Sequence, residues 1–185
     1  MIDLTEAIKT LRDGGTILYP TDTVWGLGCD ATNDGACKVI AKMKGRGENK
    51  SFILLVDGFP MLQRYIPEFQ EVCYDLADFA VKPLTIIYPE AKDLAPTVLA
   101  KDGSVGIRIT TDPVCLKLIR GMRKPLVSTS ANLAGESTPT VYQDIDVLLK
   151  DSVDYIVKDR IKEICHKSSQ IIKIGIKGDV EIIRN

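Results

Sequence analysis

The sequence predicts an α/β domain built on a twisted, mixed β-sheet with flanking helices. Short apolar runs of strand length, Phe52–Val56, Leu84–Tyr88 and Val105–Ile109 among them, alternate with stretches of helical periodicity. The alternation lacks the regularity of a doubly wound fold, which points to a mixed sheet rather than an all-parallel one. Length agrees: 185 residues with 45% hydrophobic content suit one domain spanning 1–185, with enough apolar material for a core.

Each element has its own reason. Leu4, Ala7, Ile8 and Leu11 recur at helical spacing within Asp3–Arg12, and Gly14-Gly15 ends that helix. Thr16–Tyr19 reads as a strand and runs into LYPTDTVWGLG, which holds more hydroxyl, carboxylate and glycine residues than a turn needs. Asn33 or Asp34 caps a helix through Met43, whose apolar stripe is Ala36, Val39, Ile40 and Met43. The strand Phe52–Val56 ends at Asp57-Gly58, and helices over Pro60–Tyr65 and Glu68–Ala80 lead to the strand Leu84–Tyr88. A polar loop then reaches Val105–Ile109, a strand pattern with an arginine in it, and a helix runs from Asp112 to about Arg120. Leu126-Val127 opens a strand that enters the cluster Ser128-Thr129-Ser130-Ala131-Asn132. A helix over Tyr142–Lys150 and strands at Tyr155–Val157, Gln170–Ile174 and Val180–Ile183 complete the pattern. The polar clusters fall at strand ends, where open sheets gather their ligand-binding loops.

Composition excludes several classes. With 24 Lys and Arg against 25 Asp and Glu, the net charge of -1 argues against a surface built as a whole for nucleic acid, while leaving room for a local basic pocket. MIDLTEAIKTLRDGG carries acids early and no long apolar core, so it does not read as a signal peptide, and no later run is long enough to span a bilayer; a cytoplasmic location and no membrane partner are expected. The 5 cysteines, Cys29, Cys37, Cys73, Cys115 and Cys165, form no CxxC pair, and His166 is the lone histidine. They read as buried thiols rather than a disulfide framework or zinc site, and a His-assisted nucleophile requires Cys165 or a distant serine to reach His166.

The densest cationic stretch is KMKGRGENKS, Lys42 to Ser51. It either holds a polyphosphate or forms a solvated helix terminus. It is not a P-loop: that pattern needs glycines where Lys44 and Asn49 stand, and a helix where an apolar strand follows. In the phosphate reading, Arg46 supplies a two-pronged fork and Lys44 a compact point charge. The hydroxyls and amide of Ser128–Asn132 suit phosphate or ribose oxygens, or else form a serine-rich turn capped by Asn132. Arg108 either points to solvent or faces a pocket and clamps a carboxylate or phosphate; alternation does not choose.

Taken in order, GGTILYPTDTVWGLGCDA, KMKGR, KPLTIIY, SVGIRIT and PLVSTSANLAGE resemble the YrdC-domain family of threonylcarbamoyl-AMP synthases, over almost the whole chain. The resemblance implies a YrdC-like fold with a positively lined cleft in the sheet. It also implies a nucleotidyltransferase that forms threonylcarbamoyl-AMP and pyrophosphate from L-threonine, bicarbonate and ATP, with Mg2+ accompanying the ATP. The family's Lys-x-Arg and Ser-x-Asn motif falls on Lys44, Arg46, Ser130 and Asn132, with Lys44 and Arg46 in the catalytic role. Lys50 and Arg184 join these four at the nucleotide, while Thr21, Thr23, Arg108, Ser128 and Ser169 face the threonine, Arg108 reaching its carboxylate or the neighbouring phosphate region; Gly26 and Gly28 bring backbone up to the cleft. No protein ligand to a metal is implied. Implied partners are the transferase proteins that pass the threonylcarbamoyl group to tRNA, and related domains are associated with double-stranded RNA, which makes a noncatalytic RNA-binding module the alternative. The sequence departs from the family pattern in Trp25 for tyrosine, Gly47 for proline and Gln170 for threonine.

Overall fold

The computed structural model describes residues 3–45, 52–68, 70–133, 135–165, 168–175 and 178–185. Helix α1 (Thr5–Arg12) buries Ala7 and Leu11, two members of the predicted stripe. Helix α2 (Asp34–Met43) starts where the Asn33 side chain accepts from the Ala36 N–H, so the cap is asparagine rather than aspartate. Helices α3 (Phe59–Tyr65) and α4 (Val72–Asp78) follow, the latter shorter than the Glu68–Ala80 expected. In α5 (Pro113–Met122), Asp112 accepts from both Val114 N and Cys115 N and Pro113 occupies the first turn, a start that satisfies orphan donors without needing the proline N–H. The helix expected over Tyr142–Lys150 is broken: Tyr142–Asp144 is a 3-10 turn and α6 (Val147–Ser152) begins afresh, because Asp146 takes the cap position and accepts from Leu148 N.

The strands β1 (Ile17–Tyr19), β2 (Gly26–Gly28), β3 (Ile53–Val56), β4 (Leu84–Tyr88), β5 (Val105–Ile109), β6 (Leu126–Ser130), β7 (Tyr155–Ile156), β8 (Gln170–Ile174) and β9 (Val180–Arg184) form a nine-stranded sheet in the order β7-β1-β2-β6-β3-β5-β4-β8-β9. Parallel pairs (β1 with β7, β3 with β5, β4 with β8) mix with antiparallel ones, as the irregular alternation predicts. β2 went unpredicted, since glycine is depleted in strands. Here the glycines have another use. A Cβ on Gly28 would stand 2.5 Å from Val127 O and 2.6 Å from Tyr19 Cε1, and one on Gly26 would stand 3.3 Å from the same ring. The Tyr19 ring lies across β2, and its hydroxyl donates to Val127 O at 3.0 Å. Burial pushes this phenol's pKa well up, so it stays a neutral donor. The glycines therefore admit a core tyrosine rather than bringing backbone up to the cleft.

Side chains that alternate with the cleft-lining ones, Leu54, Val56, Ile86, Ile107 and Ile172, are buried in a core that Trp25, Leu118 and Ile119 help to fill. Helices α1 and α5 pack on each other, α5 also on β3, and α3 on β3 and β5. Among the described residues, no helix is long and apolar enough to cross a membrane.

Candidate functional site

A cleft of about 420 Å3 opens over the middle of the sheet. Its floor is made by alternate residues of neighbouring strands: Ile53, Thr85, Gly106, Arg108, Ser128 and Ser130. The register explains the convergence, because Ile53 lies opposite both Gly106 on β5 and Ser128 on β6. Thr23 and Val24 close one side, and Ser168, Ser169 and Arg184 another. Among the described residues, hydroxyls dominate this lining, with Arg108 and Arg184 as its cations. The volume lies in the range of small-molecule sites.

Arg108 does not point to solvent. It is buried, its Nη1 donates to Asp22 Oδ1 at 2.8 Å and its Nη2 to Thr23 Oγ1 at 3.4 Å. Thr21 sits just behind: its hydroxyl accepts from Thr23 N and Val24 N at 3.0 and 3.1 Å and bonds Val24 O at 2.8 Å. Of the two threonines, Thr23 lines the cleft, whereas Thr21 organises the turn that presents it.

On the opposite side, Ser169 is a junction. Its hydroxyl meets Thr85 Oγ1 at 2.9 Å, Arg184 Nε donates to its carbonyl at 2.9 Å, and Arg184 Nη2 approaches its hydroxyl at 3.3 Å. Arg184 reaches this face through a β-bulge. Ile172 pairs with Ile182 but Ile171 pairs with Arg184, so Ile183 is an extra residue in β9 and shifts the next side chain to the other side of the sheet. Loss of hydration, reinforced by the nearby charge of Arg108, lowers the pKa of Arg184 below its usual value, although the group stays charged at neutral pH. Both guanidiniums border the one cleft, and that of Arg108 is paired with Asp22.

Lys44 follows the last residue of α2, and its ammonium folds inward against the end of β6. It donates to Ser130 O at 2.7 Å, to Asn132 Oδ1 at 3.0 Å and to Asn132 O. Ser130 Oγ donates to Asn132 Oδ1 at 2.5 Å, and Asn132 Nδ2 donates onward to Glu136 O at 2.8 Å. The lysine of one predicted motif and the serine and asparagine of the other thus form a single network, with Lys44 buried within it. Arg46 and Lys50 lie outside the described residues, as does His166.

Sequence reasoning left several groups unassigned. Asp22 is the ion-pair partner of Arg108. Thr85, Thr138 and Ser168 also line the cleft; Thr85 carried a signal, a lone hydroxyl in the apolar run LTIIY. The cysteines are free thiols, all buried except the half-buried Cys165. Among the described residues, no group of three or more His, Cys, Asp or Glu side chains is placed to hold a metal ion.

Fold and site together define a class: an α/β protein with a hydroxyl-lined, arginine-flanked cleft across the middle of a mixed sheet. The family model described as "Telomere recombination", which covers Sua5, YciO and YrdC proteins, matches residues 9–185. A protein of Vibrio cholerae named threonylcarbamoyl-AMP synthase is 33% identical over 161 residues, 85% of this chain and 86% of its own. The chain belongs to the Sua5/YciO/YrdC family. P. abyssi Sua5, solved in complex with L-threonine, superposes with a TM-score of 0.80 at 26% identity over 91% of this chain, which spans about half of that protein (49%). E. coli YciO shares the fold with a TM-score of 0.83 at 24% identity, over 97% of this chain and 87% of its own.

Proposed function

We propose that the chain is an L-threonylcarbamoyladenylate synthase, a nucleotidyltransferase that joins L-threonine, bicarbonate and ATP and releases pyrophosphate. The observation that carries the reading is the pairing of an arginine-flanked, hydroxyl-lined cleft with the Lys44–Ser130–Asn132 network at its edge. In this reaction the deprotonated amine of threonine bonds the carbon of bicarbonate, from which water leaves to give the carbamate, and a carbamate oxygen attacks the α-phosphate of ATP, breaking the bond to pyrophosphate. No protein nucleophile is required. The protein's task is to align the reactants and place positive charge against the pentavalent phosphate and the leaving group.

In this reading Arg108 faces the carboxylate of threonine, and Thr23, Ser128 and Ser169 receive the rest of the amino acid. Ser130, Asn132 and Arg184 hold the nucleotide together with Arg46 and Lys50. Lys44 serves catalysis first by fixing the Ser130–Asn132 segment. Mg2+ enters with ATP as part of the substrate; the described residues that line the cleft offer it hydroxyls rather than carboxylates. Separate transferase proteins pass the group on to tRNA, and the cytoplasm is the expected location. The alternative of a noncatalytic module for double-stranded RNA is less well supported: the related synthase names and the threonine-bound neighbour favour a small-molecule site, and the net charge of -1 does not favour RNA.

The test is incubation with ATP, Mg2+, threonine and labelled bicarbonate. Labelled threonylcarbamoyl-AMP with equimolar pyrophosphate is the expected outcome. Folded protein that forms neither product, yet binds duplex RNA with a steep salt dependence, would establish the alternative.

A further inference from the structure

Within the motif PTDT, Asp22 carries no role in the chemistry above, yet its surroundings are unusual. Arg108 sits in mid-sheet on β5 with a side chain 3% exposed, so its guanidinium depends on protein groups rather than water for orientation. Those groups come from one turn. Thr21 ties the turn to itself through Thr23 N, Val24 N and Val24 O, which fixes the positions of Asp22 and Thr23 above β5. Asp22 then takes Nη1 at 2.8 Å, the shorter and charged contact, while Thr23 takes Nη2 at 3.4 Å. Arg108 Nε is buried and has no hydrogen-bond partner among the described residues. A buried arginine whose two terminal nitrogens are both held by one turn is aimed by that turn, with Asp22 its charged anchor.

Resting on the synthase reading of the cleft, we infer that Asp22 is a positioning residue: it sets the Arg108 fork for the carboxylate of the incoming amino acid. Asp22 does not itself line the cleft; it lies behind Arg108, 24% exposed, beside Ile109 and Thr111. It acts in a second way through charge. Its carboxylate, 2.8 Å from Nη1, offsets the guanidinium charge of Arg108 inside the protein.

A purely structural ion pair would stabilise the fold without distinguishing the substrates. Calorimetric titration of the full chain with threonine, and separately with ATP, separates these roles. Asp22→Ala is expected to weaken threonine binding by at least about tenfold and ATP binding by less than about twofold. In an Arg108→Ala background, the same substitution is expected to change threonine affinity by less than about twofold, because its effect passes through the arginine. Asp22→Asn keeps shape and an acceptor but not charge, and serves if alanine leaves the chain unfolded; threonine binding at least about threefold weaker with ATP binding unchanged is expected. Threonine affinity unchanged in the folded Asp22 variants, equal losses for both ligands, or full additivity with Arg108→Ala overturns the positioning role alone. Wild-type protein that binds no threonine overturns the reading of the cleft, and this inference with it.

Discussion

Replacing Lys44 by methionine keeps the length of the stem and removes only the ammonium, which isolates what the charge does at the end of β6. The acceptors differ in what they lose. Ser130 O also receives Asn132 N at 3.0 Å, and Asn132 Oδ1 also receives the Ser130 hydroxyl, so both keep a donor. Asn132 O receives only Lys44 among the described residues and is left without one. Asn132 is half-buried, so its orphaned carbonyl costs less than the about 1–3 kcal/mol of a buried one, while a hydrogen bond to a charged group contributes about 1.5–3 kcal/mol. Against this, methionine relieves the desolvation of a buried ammonium. A net loss of about 2 kcal/mol follows, which for a chain of this size lowers the melting temperature by about 4–8 °C. Thermal unfolding followed by circular dichroism measures it. Turnover, assayed well below both melting temperatures, is expected to fall by at least about tenfold, because the Ser130–Asn132 segment loses its anchor and the site loses positive charge. A melting temperature within about 1 °C of wild type would refute the structural half of the argument, and wild-type turnover the catalytic half.

The other predictions concern separate parts of the molecule. Gly28→Ala forces a methyl group to 2.5 Å from Val127 O, and is expected to cost about 1–3 kcal/mol in urea unfolding; an unchanged midpoint would mean that β2 and the Tyr19 ring separate freely. Arg184→Met is expected to raise the KM for ATP at least about fivefold with little change in melting temperature, and an unchanged KM removes Arg184 from the nucleotide site. Asp34 is held at a pKa of about 2, against an ordinary value of 3.8, first by its hydrogen bond to Lys38 and then by those from Thr97. Because the folded value is the lower one, this stabilisation is complete above pH 3.8 and is lost as pH falls through about 2. The stability gap between wild type and Asp34→Asn should therefore close over that window, and a gap that persists at lower pH would contradict the assignment.

How far the sequence could be read depended on the kind of signal each part carried. Apolar runs marked β3, β4 and β5 because strands this largely buried need such runs wherever they lie in the sheet, while β8 buries only Ile172 and Ile174. Strand order is different: nothing local in Ile17 or Tyr155 says that these residues pair across the chain. β2 stayed hidden because Gly-Leu-Gly is a poor strand by propensity, and the reason for its glycines lies in a ring contributed by β1. At the site, Lys44, Ser130 and Asn132 were legible as motifs, but their bonding to one another was not, since it joins a helix end to a strand end far away in sequence. Alternation left the direction of Arg108 open, and Asp22 decides it. The bulge at Ile183 was equally invisible, and plain alternation would have put Arg184 on the same face as Ile182.

The strand order has a consequence for how the protein is made. β1 pairs with β7, β2 with β6, and β4 with β8, so sheet neighbours are repeatedly remote in sequence and the fold has high contact order. Such topologies close long loops before they gain stabilising contacts, and they fold slowly. During synthesis, Thr23 and Arg108 emerge well before Ser169 and Arg184, yet all four line one cleft. A nascent or truncated chain that lacks its last two strands has no second arginine at the cleft. On the proposed reading, a ligand that needs both arginines binds only once β8 and β9 have paired, and it favours the assembled sheet over its partly folded precursors.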